Sequence, residues 1–426
     1  MSHPSLIWKD KHMPLRSPQI SPSPAERHFY PESPHQLTLF QGDNKPILEY
    51  LHREFRGKIS LVYLDPPFDS DANYHRIVRL RGEKTPYISR KQQYHDQWKK
   101  HEYLQFIYDR LFIIKELLKE DGSIYLHADW HRIHHLRLLM DEVFGEDKLL
   151  NEIIWHHDFG GRSPYFLARK HDNLLLYRKG KEWTFNIDTL PDLPYKGKLH
   201  QYQKNTPKKG KKPTAVWSDH PATDFVWDIA YENKMSPHNT GYPTQKPAAL
   251  LSRIIQLSSL PDEWILDPFL GSGTTALVSA RLGRNFIGID ANWDSLHTTR
   301  CRLLHENRPF NIDLHRGVSS ADTPLQLKYT LTGEHLHLSF SCDDIQDELK
   351  IPEHKWKNID WRAWIQSISI SEHHTDQLLE NPSIDSPLSK RELVRGSYLI
   401  SPNTSQIIIE ATDIFCRTKR FRIDRN

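Results

Sequence analysis

The chain has 426 residues, 37% of them hydrophobic, enough to bury a sizeable core and more than one average domain needs. A formal charge of +3 is too small to identify a partner, and the three cysteines, Cys301, Cys342 and Cys416, are widely spaced and lack a CxxC pair, which excludes a disulfide framework and a zinc ribbon. No apolar run approaches the ~18 residues of a membrane span, and no apolar segment follows the N-terminal charges, so a soluble, cytoplasmic protein with no membrane partner is expected.

Residues 1–36 carry repeated Ser-Pro pairs and little apolar periodicity, and read as a flexible arm. From Leu37 the texture changes. Three apolar runs, Leu61–Leu64, Ser123–Leu126 and Glu152–Trp155, read as buried parallel strands. A helix over Glu102 to Lys119 follows from Leu104, Ile107, Leu111, Ile114 and Leu118, and stops at Asp121-Gly122. A second helix, His131 to Phe144, stops at Gly145. Alternation of strands and helices of this length implies βαβ units and a doubly wound α/β sheet.

Between about 180 and 235 the pattern gives way to a polar stretch rich in Pro and Lys, read as an insertion. It resumes with a helix after Pro247, whose apolar face is Leu250, Leu251, Ile254 and Ile255. Strand Trp264–Leu266, a Gly-rich turn, a helix, and strand Asn285–Ile289 ending at Asp290 complete the sheet, so residues 37–310 form one domain. Beyond 311, period-2 alternation as in His335-Leu336-His337-Leu338 and the run Ile407-Ile408-Ile409 predict a small β-rich domain over 311–426, without a chemical motif.

Two motifs carry chemistry. Asp267-Pro268-Phe269-Leu270-Gly271-Ser272-Gly273-Thr274-Thr275 follows a strand and opens a helix, where glycines let backbone amides approach a ligand and the helix start favours an anionic group. A phosphate-binding P-loop needs Lys after its last Gly; Thr274 stands there, which argues against phosphoryl transfer. Asp290, ending the next strand, is placed to bind ribose hydroxyls. The second motif, Asp65-Pro66-Pro67-Phe68, stands at the carboxyl end of a strand, where open α/β sheets bind ligands. Its prolines remove amide donors, leaving the Asp65 carboxylate and the Pro66 carbonyl as two acceptors for an NH2 group, with Phe68 as a stacking surface. Such an arrangement suits an exocyclic amine, a poor nucleophile until its lone pair is freed from the ring.

On these motifs the chain resembles the DNA amino-methyltransferases of the permuted β class, to which type III modification subunits belong; the order, catalytic motif before cofactor loop, marks the class. Gly42-Asp43, the strand and turn at Asp121 to Asp129, Asp141–Gly145 and Thr244-Gln245-Lys246-Pro247 match as well, so the likeness covers about 37–305. It implies a seven-stranded, Rossmann-like S-adenosylmethionine-dependent methyltransferase sheet with circularly permuted motif order, an inserted recognition region and a small C-terminal β-rich domain. S-adenosylmethionine would lie with its methionine part against Phe269, Gly271, Gly273 and Thr274, its ribose on Asp290, its carboxylate near Lys246 and its adenine near Asp43, with Asp267 and Ser272 of the same loop also binding the cofactor. The implied reaction is methylation of adenine N6 in duplex DNA after base flipping; Asp at the first catalytic position favours adenine, whereas many cytosine-N4 enzymes carry Ser there. Phe68 stands where Tyr is commoner, which keeps the stacking face. Cytosine-N4 methylation and a catalytically silent DNA-recognition subunit are the alternatives. A cognate restriction subunit and a homodimer are the further partners left open.

Lys204, Lys208, Lys209, Lys211 and Lys212 in the insertion would neutralise DNA phosphates, as would Arg79 and Arg81 in a loop that also holds Arg76, Tyr87, Arg90, Lys91 and Trp98 and is expected to close over the flipped nucleotide. His127, His131, His134 and His135 lack a companion Cys, and His131, His134 and His135 fall on a predicted amphipathic helix, so no metal site is expected. Carbon-5 methylation of cytosine needs a Cys nucleophile after Pro, and none of the three cysteines has one.

Overall fold

The computed structural model describes residues 5–28, 35–69, 73–82, 88–95, 98, 102–157, 164–167, 169–189, 216–218, 229, 240, 242, 244–314, 325–372, 379–380, 382–387 and 392–424. In chain order the first part contains β1 (Ser23–His28), β2 (Leu37–Gln41), α1 (Asn44–Phe55), β3 (Ile59–Leu64), β4 (Asn73–Arg79), β5 (Ile88–His95), α2 (Glu102–Leu117), β6 (Leu118–Ala128), α3 (Ile133–Phe144), β7 (Leu149–His156), β8 (His171–Arg178) and β9 (Val216–Ser218). The second contains α4 (Ala248–Ser258), β10 (Trp264–Asp267), α5 (Thr274–Arg281), β11 (Asn285–Asp290), α6 (Trp293–His305) and β12 (Phe310–Leu314). The C-terminal region adds β13 (Gln326–Thr332), β14 (His335–Ser341), α7 (Asp343–Leu349), α8 (Glu353–Trp356), β15 (Ile365–Ser371), β16 (Leu379–Glu380), β17 (Ser383–Asp385), β18 (Ser397–Leu399), β19 (Gln406–Asp413) and β20 (Thr418–Asp424).

The main sheet has eleven strands, ordered β16-β1-β12-β2-β11-β10-β3-β6-β8-β7-β9, where seven were implied. Its centre, from β12 to β6, is parallel throughout. Such strands are covered on both faces, and β3 is accordingly buried at all six positions. Its side chains alternate: Leu61 and Tyr63 face α4, α5 and α6, while Val62 and Leu64 face α1, α2 and α3. From β3 the chain steps outward to β6, and from β10 it steps the opposite way to β11, so the strand order reverses between β3 and β10. Ligands bind such doubly wound sheets at that reversal, outside the carboxyl ends of the strands.

Three expectations are corrected. Glu152–Trp155 lies within β7, which points the same way as β6 but joins the sheet through β8, antiparallel to both; β8 escaped notice because its run Leu174-Leu175-Leu176-Tyr177 is short and directly follows a polar stretch. The described residues of the expected flexible arm make fixed contacts with the rest of the protein. Leu6 and Trp8 lie against the core on the α1–α3 side, Lys11 binds Glu142 at 2.6 Å, and β1 pairs with β12. A few apolar anchors suffice where the chain crosses an existing surface. The expected closing loop is an antiparallel hairpin, β4–β5, and its Val78 and Leu80 are buried in the C-terminal core. Tyr87 lies outside the described residues.

The C-terminal region forms two antiparallel sheets, β13-β14-β18 and β17-β15-β19-β20, around a core that includes Leu336, Trp364, Ile368 and Ile409. It docks on α6, where fully buried Arg300 reaches Ser369 at 2.6 Å and Trp293 reaches Thr418 at 3.0 Å. No helix among the described residues is long and apolar enough to cross a membrane.

Candidate active site

The carboxyl ends of β2, β11, β10 and β3 lie side by side, and each delivers an acid within a few residues: Asp43, Asp290, Asp267 and Asp65. All four line one cleft of about 540 Å³, together with Pro66, Pro67, Phe68, Lys246, Phe269, Gly271, Ser272 and Thr274. Both sequence motifs, 199 residues apart at their closest, therefore open into the same space. That volume suits a nucleoside-sized ligand.

The Gly-rich side is held by backbone. The Asp290 carboxylate accepts from the amides of Gly271 (3.0 Å) and Asn292 (2.8 Å), Asp267 accepts from Phe269 (3.0 Å), and Arg302 of α6 donates to the Ser272 carbonyl at 2.7 Å. Gly273 sits at φ 73° before α5, and a Cβ there would stand 2.0 Å from Thr299 Oγ1. Glycine is required on both counts. Burial pushes Asp267 up to about 7 and Asp290 up to about 6, although the hydrogen bonds they accept pull the other way. At neutral pH this wall is short of its full negative charge, and a cation placed against it would restore it.

At the far end, Arg110 of α2 bonds the Asp43 carboxylate at 2.8 Å and the Asn44 side chain, and Asn44 donates to the Pro268 carbonyl at 2.7 Å. The Arg110 guanidinium also covers the Phe106 ring at 3.4 Å, and Phe106 lies 5.9 Å from Phe269. This aromatic and cationic corner was not anticipated. The available signal was an Arg among Ile107, Leu111 and Ile114 on the apolar face of a helix.

On the tetrapeptide side, Lys246 Nζ is 2.6 Å from Asp65 Oδ2 and 5.1 Å from the Phe68 ring centroid. Lys246 thus lies against Asp65 as well as lining the cleft. Behind Phe68, 6.0 Å between ring centroids, is fully buried His127, bonded to Tyr63 Oη at 2.7 Å and to Asp172 at 3.1 Å. Burial alone would raise Asp172, but hydrogen bonds with His127 and His157 outweigh it and hold the carboxyl well below its usual range. Of the four histidines in the cluster, His127 alone is in this network; His131 bonds Asp129 at 2.6 Å, in a turn ahead of α3. A polar residue in the apolar run Tyr125-Leu126-His127-Ala128 was the signal for it.

The expected DNA contacts fare differently. Arg79 is exposed, whereas Arg81 donates to the carbonyls of Pro387 (2.6 Å) and Glu392 (3.2 Å) and so ties the hairpin to the C-terminal region. Lys91 likewise binds Asp294 at 2.8 Å and the Phe415 carbonyl. Lys204, Lys208, Lys209, Lys211 and Lys212 lie outside the described residues.

Comparison with known proteins identifies the family. The family described as DNA methylase matches residues 59–300, more than half of the chain. The chain is 29% identical over 267 residues to the DNA adenine methyltransferase YhdJ of Escherichia coli, covering 60% of this chain and 78% of that one. It is 25% identical over 365 residues to the type II methyltransferase M.EcaI of Enterobacter cloacae, covering 72% and 78%. Among solved structures it matches an M1.HpyAVI–SAM complex at 20% identity with a TM-score of 0.41, covering 63% of this chain and 98% of that one.

Proposed function

The chain belongs to the DNA methylase family, and from that premise we propose that it transfers a methyl group from S-adenosylmethionine to N6 of adenine in duplex DNA, after the base is flipped into the cleft. The observation that carries this reading is the shared cleft, in which the Asp65 turn faces the Asp267 loop.

The residues present fit the cofactor. Carboxylates at 267 and 290 line the cleft that a positively charged sulfur would enter, and the polar corner of Asp43, with Phe106 and Phe269 beside it, suits a purine. Asp290 would take the ribose hydroxyls, since its two amide bonds leave lone pairs to spare. Phe269, Gly271, Ser272, Gly273 and Thr274 would hold the methionine part, with Lys246 toward its carboxylate. When bound, S-adenosylmethionine supplies the methyl group as an electrophile.

The chain's own residues handle the amine. Asp65 Oδ2 is engaged by Lys246, while Oδ1 accepts no hydrogen bond among the described residues. Oδ1 and the Pro66 carbonyl accept the two N–H bonds of the adenine amine. This pulls nitrogen out of conjugation and aims its lone pair across the cleft. Pro66 and Pro67 keep the turn rigid and free of competing donors, and Phe68 stacks on the base. The nitrogen would take the methyl carbon as its bond to sulfur breaks and give up one N–H proton by way of the Asp65 carboxylate to solvent, so no covalent enzyme intermediate is required. Asp65 also favours adenine over the cytosine-N4 alternative.

DNA contacts at Arg79, and at Lys204, Lys208, Lys209, Lys211 and Lys212, belong to this reading, as does a place in restriction–modification with a cognate restriction subunit or a second copy as protein partner. Base-resolved modification mapping of DNA from cells expressing the protein tests the core claim. N6-methyladenine at a defined sequence is expected; N4-methylcytosine alone, or unmodified DNA, would overturn it.

A further inference from the structure

The cleft is not the only unusual feature on the carboxyl edge of the sheet. Because β6 and β7 point the same way as β3, the turn after β6 and the connection from β7 to β8 emerge on the same edge as Asp65. That edge presents an exposed aromatic group. Trp130 is 39% exposed and Phe166 56%; the guanidinium of Arg169 stands 3.4 Å over the Trp130 ring and 4.7 Å from the Phe166 ring, and His131 lies 3.8 Å from Trp130. No carboxylate pairs with Arg169 among the described residues.

Large aromatic side chains left in water need a reason, and an exposed cation spread over two of them makes a flat, positively charged surface. The turn is also fixed to the catalytic motif. Arg132 donates to Asp69, directly after Phe68, at 2.6 Å, and His127, three residues before Trp130, backs the Phe68 ring.

We propose that Trp130, Phe166 and Arg169 form a stacking ledge for duplex DNA beside the target site, receiving a base or sugar–phosphate unit next to the flipped nucleotide. This rests on the reading of the protein as a DNA methyltransferase. Flipping removes a base from its stack and leaves its neighbours exposed, and an aromatic face with a guanidinium offers replacement stacking and a phosphate contact together. The coupling through Arg132 and Asp69 keeps ledge and catalytic turn in one register.

The test compares equilibrium binding of a fixed random-sequence duplex DNA, over a series of salt concentrations, with calorimetric affinity for S-adenosylmethionine as the internal control. Trp130→Ala and Arg169→Ala should each weaken DNA binding on the order of tenfold, and Arg169→Ala should also lower the salt slope by about one. Trp130→Phe should recover most of the loss, and cofactor affinity should not change. A double Trp130→Ala/Arg169→Ala variant that binds DNA and cofactor like the parent would overturn the ledge. Failure of the parent to methylate DNA would instead count against the proposed reaction, since the binding comparison does not depend on transfer.

Discussion

On one wall of the cleft, the Gly271 amide is tied to Asp290, the Ser272 carbonyl to Arg302 and the Gly273 amide to the Leu270 carbonyl, and Thr299 leaves no room for a Cβ at Gly273. On the other, Asp65 meets a lysine, Asp69 an arginine, and Phe68 leans on His127. The first wall is built from backbone and at Gly273 admits no Cβ; the second is built from charged and aromatic side chains. A cofactor whose shape never varies suits the first. A base that must be swung in and released suits the second.

The sharpest way to break this contrast is at its two centres. Asp65→Ala removes an acceptor from the base side, and transfer should fall about 10²–10³-fold while calorimetric affinity for S-adenosylmethionine is retained; preserved turnover would remove Asp65 from the mechanism. Gly273→Ala should damage the other wall. The clash with Thr299 should cost about 1–3 kcal/mol of stability, read as a lowered Tm, and should weaken the cofactor more than DNA. Equal losses for both ligands would mean that the walls are not separable.

The acids of the backbone wall add a pH signature. Asp267 and Asp290 titrate at about 7 and about 6, so they gain charge as pH rises through those values, and a cationic ligand should bind more tightly above about 7 than below about 6. Because both folded values lie above the unfolded one, these acids favour folding most at low pH, and that contribution is lost as pH climbs through the same window. Titration calorimetry should therefore show cofactor affinity rising about tenfold while the Tm of the free protein does not rise. A flat affinity profile would separate the acids from the cofactor.

The smallest expected effect divides two neighbouring arginines. Arg81→Ala should lower stability by about 1 kcal/mol without changing the salt dependence of DNA binding, because its guanidinium is spent on the Pro387 and Glu392 carbonyls. Arg79→Ala should leave the Tm in place and lower the salt slope by about one.

What the sequence made legible is what is local in the chain. An apolar run followed by Asp-Pro-Pro marks a strand end and its turn, and Gly271 and Gly273 mark a turn at positive φ that opens a helix; both readings need only adjacent residues. The parallel centre of the sheet follows from the same signals. What escaped depends on distant partners: Lys11 finds Glu142 across 131 positions, Arg81 finds Pro387 across 306, and Val78 and Leu80 look like ordinary residues of a charged loop until the C-terminal core closes on them. Arg110 and His127 fall between these cases. Each is a polar residue set in an apolar pattern, a visible irregularity whose purpose appears only when Asp43 and Asp172 are brought beside them.

The docking of the β4–β5 hairpin has a bearing on how the chain can be divided. The hairpin begins five positions after Phe68, yet its buried residues and its Lys91 and Arg81 anchors are answered by Ala363, Pro387, Glu392 and Phe415. A shortened protein ending at 314 would keep every sheet strand that borders the cleft and still strip the cover from the segment leading out of the catalytic turn. A fragment that carries only the motifs is thus expected to lose activity, and modular engineering that swaps the C-terminal region would have to carry the hairpin with it.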